Sequence, residues 1–402
     1  MKFRINQQEL IDAINIASKA VSKSTNIQIH ELIYFECKEN SLYLMAFDGE
    51  ISIKTSVDAI VDEEGEMAVK ASLISNIVRK LPNDLVSISN KEGKISIRCS
   101  SSNFNLIAFD YFEKNDIEIP ETTPIEIAND VLKRSISQTE FATTLDETKL
   151  ALTGILFELK EGSLNMVALD GYRVALKKVK LDYPTDYEDS EYIIPKRSLI
   201  EWSRIITEDT KTKLYKNDND LIFVSENTTM QCKVIDKNFI DYRNIINDIS
   251  ETTIILDKRE LINSLDRAQV LADPGRANLI KIEVADSSMV IKSNSEIGDV
   301  KEVIDVEQKG ENLDIAFNAR YMQEGVKACD STRIKLNFKS SLNPCLIYPE
   351  NSSYENEDFT YLVLPVRLAN WGKYGKNRIW SRCNSSQRPP KSYKYSAKRR
   401  DC

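Results

Sequence analysis

Apolar positions recur along the chain in one fixed order: a short alternating run, an amphipathic stripe of about three turns, then three more alternating runs. Residues 3–5 alternate; Leu10, Ile14, Ala17 and Val21 fall on one helical stripe; residues 33–37, 42–46 and 51–55 alternate again. The order then restarts. Residues 67–69 are extended, Leu73, Ile74, Ile77 and Val78 make a second stripe, and alternating runs lie near Val86, Ile95 and Phe104. Further helices begin near Asn129, Lys196, Lys258 and Ala319. The pattern predicts six copies of a β-α-β-β-β half.

The halves group in pairs. Leu10 recurs as Leu132 and Leu261, and Asp48-Gly49 recurs as Asp170-Gly171. Residues 67–71 recur as 192–196 and again as 315–319. A period of roughly 120–130 residues is a whole domain rather than a solenoid step. The fold class is α+β, with three similar domains at 1–120, 121–248 and 249–368 and a tail at 369–402. The Asp-Gly pairs sit between alternating runs, where residues tolerating positive φ make a tight hairpin.

Composition fits a folded body: 42% of the 402 residues are hydrophobic and 29% charged, an ordinary globular mixture. No run approaches the roughly 18 apolar residues of a membrane span. The first residues carry no apolar signal core, so a cytoplasmic protein is expected. Seven cysteines without C-x-x-C spacing argue for reduced thiols.

Charge divides the chain unevenly. The tail holds ten Lys or Arg and one Asp, which leaves the body 44 basic and 61 acidic residues, a net charge of −17. The six predicted helices (7–21, 71–81, 129–140, 196–206, 258–270, 319–329) carry thirteen basic and eight acidic side chains. Helices less acidic than the sheets beneath them suggest one cationic face on an anionic shell. Small sheets with exposed edges pair onward. If the resulting curve closes, the helices line a hole that would suit duplex DNA, which carries one charge per roughly 1.7 Å of axis.

The residues then meet a family. Ala168-Leu169-Asp170-Gly171-Tyr172-Arg173-Val174-Ala175, with Leu152-Thr153-Gly154-Ile155 before it and Tyr361-Leu362-Val363-Leu364-Pro365-Val366-Arg367-Leu368 near the end, resembles the bacterial sliding clamp, the β subunit of DNA polymerase III. The resemblance covers residues 1–368. It implies a head-to-tail homodimeric ring that encircles double-stranded DNA without regard to sequence. Such a ring performs no chemistry, needs no cofactor or metal, and is opened by an ATP-driven clamp loader.

The resemblance also implies a pocket for peptides of the replicative polymerase, the clamp loader and other partners. Its wall would be Leu152, Thr153, Gly154, Leu169, Gly171, Tyr172, Arg173 and Val174, with Ile240, Asn244 and Ile245, and with Val363, Leu364, Pro365, Val366 and Arg367. An apolar cleft of this kind would bury Leu and Phe side chains, with Arg173 and Arg367 holding a polar group at the rim. Residues 363–368 as the plain last strand of domain three is the alternative. Arg197 matches a DNA-touching position and Lys23 is a second candidate, while Arg134, Arg204, Arg267, Arg276 and Lys327 are placed by helix-face geometry. The subunit interface would set Phe104 against Val270 and Leu271; ordinary core positions are the competing reading.

Departures from the family pattern fall at Gln28, His30, Leu169, Ile240 and Asn244, and at residues 295–298, where Asp-Gly is missing. The tail is the largest, because the family ends near the position of Leu368. Its few aliphatic residues cannot make a core. Binding DNA, folding back over the pocket and having no role at all stay open for it.

An enzyme is the competing class, with Asp48 and Asp170 as metal ligands. They occupy equivalent turns in different domains, the third copy lacks the Asp, and His30 is the single histidine. There is no phosphate-binding G-x-x-x-x-G-K-[ST] loop either. A scaffold that binds replication or repair proteins without encircling DNA is the remaining alternative.

Overall fold

The computed structural model describes residues 1–22, 26–109, 116–181, 189–217, 219–246, 250–272 and 278–367. The first half comprises β1 (Lys2–Asn6), α1 (Gln7–Ala17), β2 (Leu32–Lys38), β3 (Ser41–Phe47) and β4 (Ile51–Asp58), followed by a short β5 (Ile60–Glu63). The second comprises β6 (Gly65–Lys70), α2 (Ala71–Lys80), β7 (Leu85–Lys91), β8 (Lys94–Cys99) and β9 (Ser102–Ile107). The third comprises β10 (Ile125–Ala128), α3 (Asn129–Thr139), β11 (Gly154–Lys160), β12 (Ser163–Leu169) and β13 (Arg173–Lys180). The fourth comprises β14 (Ser190–Pro195), α4 (Lys196–Ile205), β15 (Lys211–Asn217), β16 (Asp220–Ser225) and β17 (Thr228–Lys233). The fifth comprises β18 (Thr252–Asp257), α5 (Lys258–Val270), β19 (Leu279–Ala285), β20 (Ser288–Ser295) and β21 (Gly298–Asp305), followed by β22 (Glu307–Gly310). The sixth comprises β23 (Leu313–Asn318), α6 (Ala319–Ala328), β24 (Arg333–Phe338), β25 (Cys345–Pro349) and β26 (Glu357–Val363).

The predicted order of elements stands in every half, but a half is not a self-contained sheet. Its first strand crosses over and joins the other half of the same domain. β1 pairs with β7 while β6 pairs with β2. β10 pairs with β15 while β14 pairs with β11. β18 pairs with β24 while β23 pairs with β19. This exchange ties the two halves of each domain together through backbone ladders, and neither half can separate without breaking two of them.

Two sheets then run across domain boundaries. β4 pairs with β17 to give the eight-stranded order β10-β15-β16-β17-β4-β3-β2-β6. β13 pairs with β26 to give the nine-stranded order β14-β11-β12-β13-β26-β25-β24-β18-β22. Two sheets remain shorter: β5-β1-β7-β8-β9 and β21-β20-β19-β23. Among the described residues, no strand pairs with the outer edge of β9 or of β21.

The helices cover one side of these sheets and bury Leu10, Ile14, Ile74, Leu132, Leu199, Leu261 and Met322 in a common core. They also meet one another in a row. α1 packs on α2, α3 on α4 and α5 on α6. Lys19, just after α1, reaches Glu201 of α4 at 3.3 Å, and Gln138 of α3 donates to the Ala328 carbonyl at the end of α6 at 2.7 Å. The row therefore reads α2-α1-α4-α3-α6-α5.

The Asp-Gly turns work differently from a pair of positive-φ residues. Only Gly49 (φ 93°) and Gly171 (φ 94°) take that conformation. Each Asp instead accepts backbone N–H bonds: Asp48 from Glu50 (3.1 Å) and Ile51 (3.0 Å), and Asp170 from Tyr172 (2.9 Å) and Arg173 (3.2 Å). Such side-chain turns suit Asp because its short carboxylate mimics a backbone acceptor.

Candidate partner pocket and DNA-facing helices

The junction between β13 and β26 carries a second apolar cluster, on the face of the sheet away from the helices. Leu152, Leu156, Val167, Leu169, Val174, Ile193, Tyr242, Leu346 and Leu362 are buried in it. The strands alternate, so Ala175 and Tyr361 enter the main core while Val174 and Leu362 face this cluster. Gly154 is held to glycine by close approach, since a Cβ there would stand 2.7 Å from Ile193 Cγ2 and 2.8 Å from the Ile194 carbonyl.

Beyond β26 the chain stays pinned to the junction. Leu364 N–H donates to the Tyr172 carbonyl and Val366 N–H to the Ala316 carbonyl, each at 2.8 Å. Opposite runs the segment after β17. There Tyr242 donates from its hydroxyl to Glu158 at 2.7 Å, and Arg243 pairs with the same carboxylate. Burial opposes the charge on Glu158, yet the bonds from Tyr242, Asn165 and Arg243 hold its pKa below the ordinary carboxylate value. Asn244 is turned onto Asp241 at 2.6 Å.

The proposed wall thus separates into two layers. Leu152, Leu169 and Val174 are buried in this cluster and form its base with Gly154 beside them, whereas Val363 shares the face of Tyr361 and is buried in the main core, so it leaves the predicted wall. Gly171, Tyr172, Ile240, Asn244, Ile245, Leu364 and Arg367 are exposed around it, with Pro365 and Val366 half-buried. Tyr172 (61% exposed), Ile240 (47%) and Leu364 (38%) present apolar surface to solvent in one neighbourhood. Residues that the sequence reading missed, Phe239, Tyr242, Ile246, Leu346 and Tyr348, pack against that base. The spacing Phe239, Tyr242, Ile246 was their one available signal.

Arg173 corrects the expectation. It is not at the rim but buried, donating from Nε to Asp170 at 2.9 Å and from Nη2 to the Phe141 carbonyl at 2.6 Å, and pairing with Glu324 of α6. Its guanidinium also stacks over the Tyr321 ring at 4.3 Å. Two of these bonds stay within the central domain and the pair with Glu324 crosses to the third, so of the two arginines expected at the rim Arg367 is the exposed one.

Arg134 likewise leaves the predicted DNA-facing set. It makes a two-pronged bond to Glu357 of β26 (3.0 and 2.6 Å) and stacks over Tyr354 at 3.7 Å. Lys177 of β13 joins the same carboxylate at 2.8 Å. Burial works against the Glu357 charge, but the bonds from Arg134 and Lys177 outweigh it and keep its pKa below the ordinary value. The side chains of Lys177 and Glu357 are almost wholly buried.

The other candidates are exposed. Arg204 pairs within its own helix with Glu201 at 2.8 Å, Arg267 bonds Glu302 of β21 at 2.9 Å, and Lys327 lies exposed in the last turn of α6. Arg197 lies at the other junction, against Asp48 of the β3–β4 turn and 3.5 Å from Glu50. Arg204 and Arg267 are more than half exposed, and pairs at such surfaces contribute about 0–1 kcal/mol, whereas the Asp48 carboxylate that holds Arg197 is buried. A cavity of about 660 Å³ opens beside Arg197 and Arg204, walled on its far side by Leu145, Leu150 and Thr153. Lys23, Arg276 and the tail lie outside the described residues.

Asp48 and Asp170, the carboxylates an enzyme would use, are each occupied by an arginine, Arg197 and Arg173. Phe104 is 37% exposed on β9 and Val270 is 80% exposed at the end of α5, so neither is a core residue of the single chain.

Three family descriptions match in sequence along the chain: the N-terminal domain of the DNA polymerase III beta subunit over residues 1–118, its central domain over 126–241 and its C-terminal domain over 243–367. The chain belongs to the DNA polymerase III beta-subunit family. That family comprises non-catalytic processivity factors that act as dimers on DNA with the polymerase. The chain is 32% identical over 383 residues to the "Beta sliding clamp" of Bacillus subtilis, spanning 91% of this chain and all of that one. It is 30% identical to the counterpart from Streptococcus pneumoniae, over 91% of this chain and 99% of that one. The crystal structure of the Bacillus subtilis DNA polymerase sliding clamp superposes with a TM-score of 0.87 at 31% identity, covering 92% of this chain and all of that one. The Streptococcus pyogenes beta subunit gives the same TM-score at 26% identity and the same coverage.

Proposed function

We propose that two copies of this chain close head to tail into a ring that encircles duplex DNA in the cytoplasm. The ring tethers the replicative polymerase, the clamp loader and other partners through the pocket beside β13 and β26. Each copy contributes three domains, at 1–120, 121–248 and 249–368, and its row of six helices, so twelve helices line the hole. Arg197, Arg204, Arg267 and Lys327 supply exposed positive charge along that row, and Lys23 and Arg276 extend the set. Positive charge spread thinly over helices retains the phosphate backbone without sequence preference.

The single observation that carries the reading is the pair of short sheets. Where one domain meets the next within the chain, a sheet of eight or nine strands runs across the boundary. Among the described residues, the five-stranded and four-stranded sheets stop at unpaired edges, β9 and β21. A second copy completes them, as an exposed edge tends to do. Light scattering on the eluting protein tests this: about 92 kDa is expected, twice the 45.9 kDa chain, and a single-chain mass at micromolar concentration would refute it.

For the pocket, the apolar rim of Tyr172, Ile240 and Leu364 favours Leu and Phe side chains on an incoming peptide. A fluorescent pentapeptide ending in Leu-Phe is expected to bind, and Tyr172→Ala with Leu364→Ala to weaken it at least tenfold. Equal binding by the double variant would remove the pocket from the account.

A further inference from the structure

The segment after β26 is laid along the start of α6. Val366 N–H donates to the Ala316 carbonyl of β23, and Leu364 N–H to the Tyr172 carbonyl. Asn318 then caps α6, its side chain accepting from the N–H groups of Arg320 at 3.0 Å and Tyr321 at 3.2 Å. The Tyr321 ring lies 6.3 Å from the ring of Tyr172, centroid to centroid, and the Arg320 guanidinium lies 5.4 Å from the Tyr321 centroid. Arg320 thus stands one aromatic ring away from the apolar rim of the pocket. Arg367 follows Val366 directly and is exposed.

The other arginines at this junction are committed to carboxylates. Asp170 and Glu324 hold Arg173, Glu357 holds Arg134, and Glu158 holds Arg243. Arg320 is different. Among the described residues its ion partner is Glu324 alone, 3.8 Å from Nε and beyond hydrogen-bond length. Glu324 already pairs with Arg173. The Arg320 side chain keeps 57% of its surface exposed. It does not serve its own helix either, because a cation in the first turn opposes the helix dipole.

Resting on the pocket reading above, we infer that Arg320, with Arg367, selects partner peptides that carry an acidic side chain next to their Leu-Phe pair. Arg320 takes the rim role expected of Arg173. The apolar pair sits on the base among Tyr172, Ile240 and Leu364, and an adjoining Asp or Glu meets the Arg320 guanidinium beside the Tyr321 ring. A planar guanidinium binds a carboxylate through two parallel bonds. The peptide excludes water from one side of that contact and so strengthens it. Of the acidic groups nearby, Glu324 is taken by Arg173, and Asp241 accepts from Asn244 and lies 4.0 Å from Arg243.

Charge makes the choice of partner. Two uncommitted arginines border an apolar rim on a body whose net charge is −17. Complementarity there favours acidic peptides and rejects basic ones. The chain's own segment 369–402, with ten Lys or Arg and one Asp, is by the same rule a poor occupant.

Fluorescence anisotropy with capped heptapeptides tests this on the full-length protein. Each peptide has Leu-Phe at its centre, with Asp, Asn or Lys immediately before or immediately after the pair. In at least one of the two series the Asp peptide is expected to bind about fivefold more tightly than its Asn twin, as an exposed charge pair of ~1 kcal/mol would give. The Lys peptide should bind more weakly than both. Arg320→Gln is expected to remove most of that preference, Arg320→Lys to keep part of it, and Arg320→Gln with Arg367→Gln to abolish it, so that peptide and protein changes couple. The gap between Asp and Asn should also narrow as NaCl rises from about 0.1 to about 0.5 M. Equal affinity for Asp and Asn peptides in both series, or a preference that Arg320→Gln leaves in place, overturns the inference and leaves the pocket. No binding by any peptide, or Asn peptides held as tightly by the variant carrying Tyr172→Ala and Leu364→Ala, overturns the pocket reading and the inference with it.

Discussion

Truncating Phe104 to alanine removes an aromatic side chain from the proposed seam. The side chain keeps 37% of its surface exposed in the single chain, whereas Met230 and Tyr361 on the junction strands β17 and β26 keep none. A phenylalanine presents ~200 Å², so ~75 Å² is left to be covered, or ~1.9 kcal/mol at ~25 cal/mol per Å². A closed ring has two seams, which doubles the loss to ~3.7 kcal/mol, a ~400-fold weaker dimer at ~1.4 kcal/mol per tenfold. Sedimentation equilibrium over a range of chain concentrations reads this directly. The matched control is Ile60→Ala: Ile60 is also about half exposed but sits on β5, at the opposite edge of the same sheet. Phe104→Ala with unchanged thermal unfolding and a dissociation constant raised by two orders of magnitude or more fits the reasoning. A shift under threefold, or an equal shift for Ile60→Ala, would refute it.

Other perturbations separate the junctions. Glu357→Gln strands the buried Lys177 and Arg134 without their carboxylate and is expected to cost ~3 kcal/mol in urea unfolding, since breaking a buried pair leaves an uncompensated charge; replacing all three by Met should cost less. Glu357 and Glu158 have pKa values held below the ordinary carboxylate value of 4.5. Their contribution is therefore present above pH 4.5 and lost as the pH falls through the lower folded-state values, so a melting temperature measured downward from pH 6 should drop there and not before.

The sequence carried the order of elements well because amphipathic stripes and alternating runs are local signals. Helix starts at Asn129, Lys196, Lys258 and Ala319 fall where periodicity placed them. Strand exchange between halves was invisible, because the partner of β1 lies some eighty residues away in β7 and nothing in residues 3–5 specifies it. Arg134 and Arg173 failed for a related reason. A helix wheel placed Arg134 and the resemblance placed Arg173, but only the fold brings Glu357 and Glu324 across the junction to meet them. Phe104 is proposed as an interface position on the resemblance, and its exposure on the edge strand β9 supports that reading.

The most direct measurement is retention on DNA as a function of topology. The chain is loaded with a bacterial clamp loader and ATP onto a nicked circular plasmid, separated from free protein by gel filtration, and the plasmid is then cut once. Encirclement requires the protein to travel with the intact circle and to be lost when the circle is linearised. Equal retention before and after cutting would mean that the chain grips DNA by surface contact, and the ring account would be wrong.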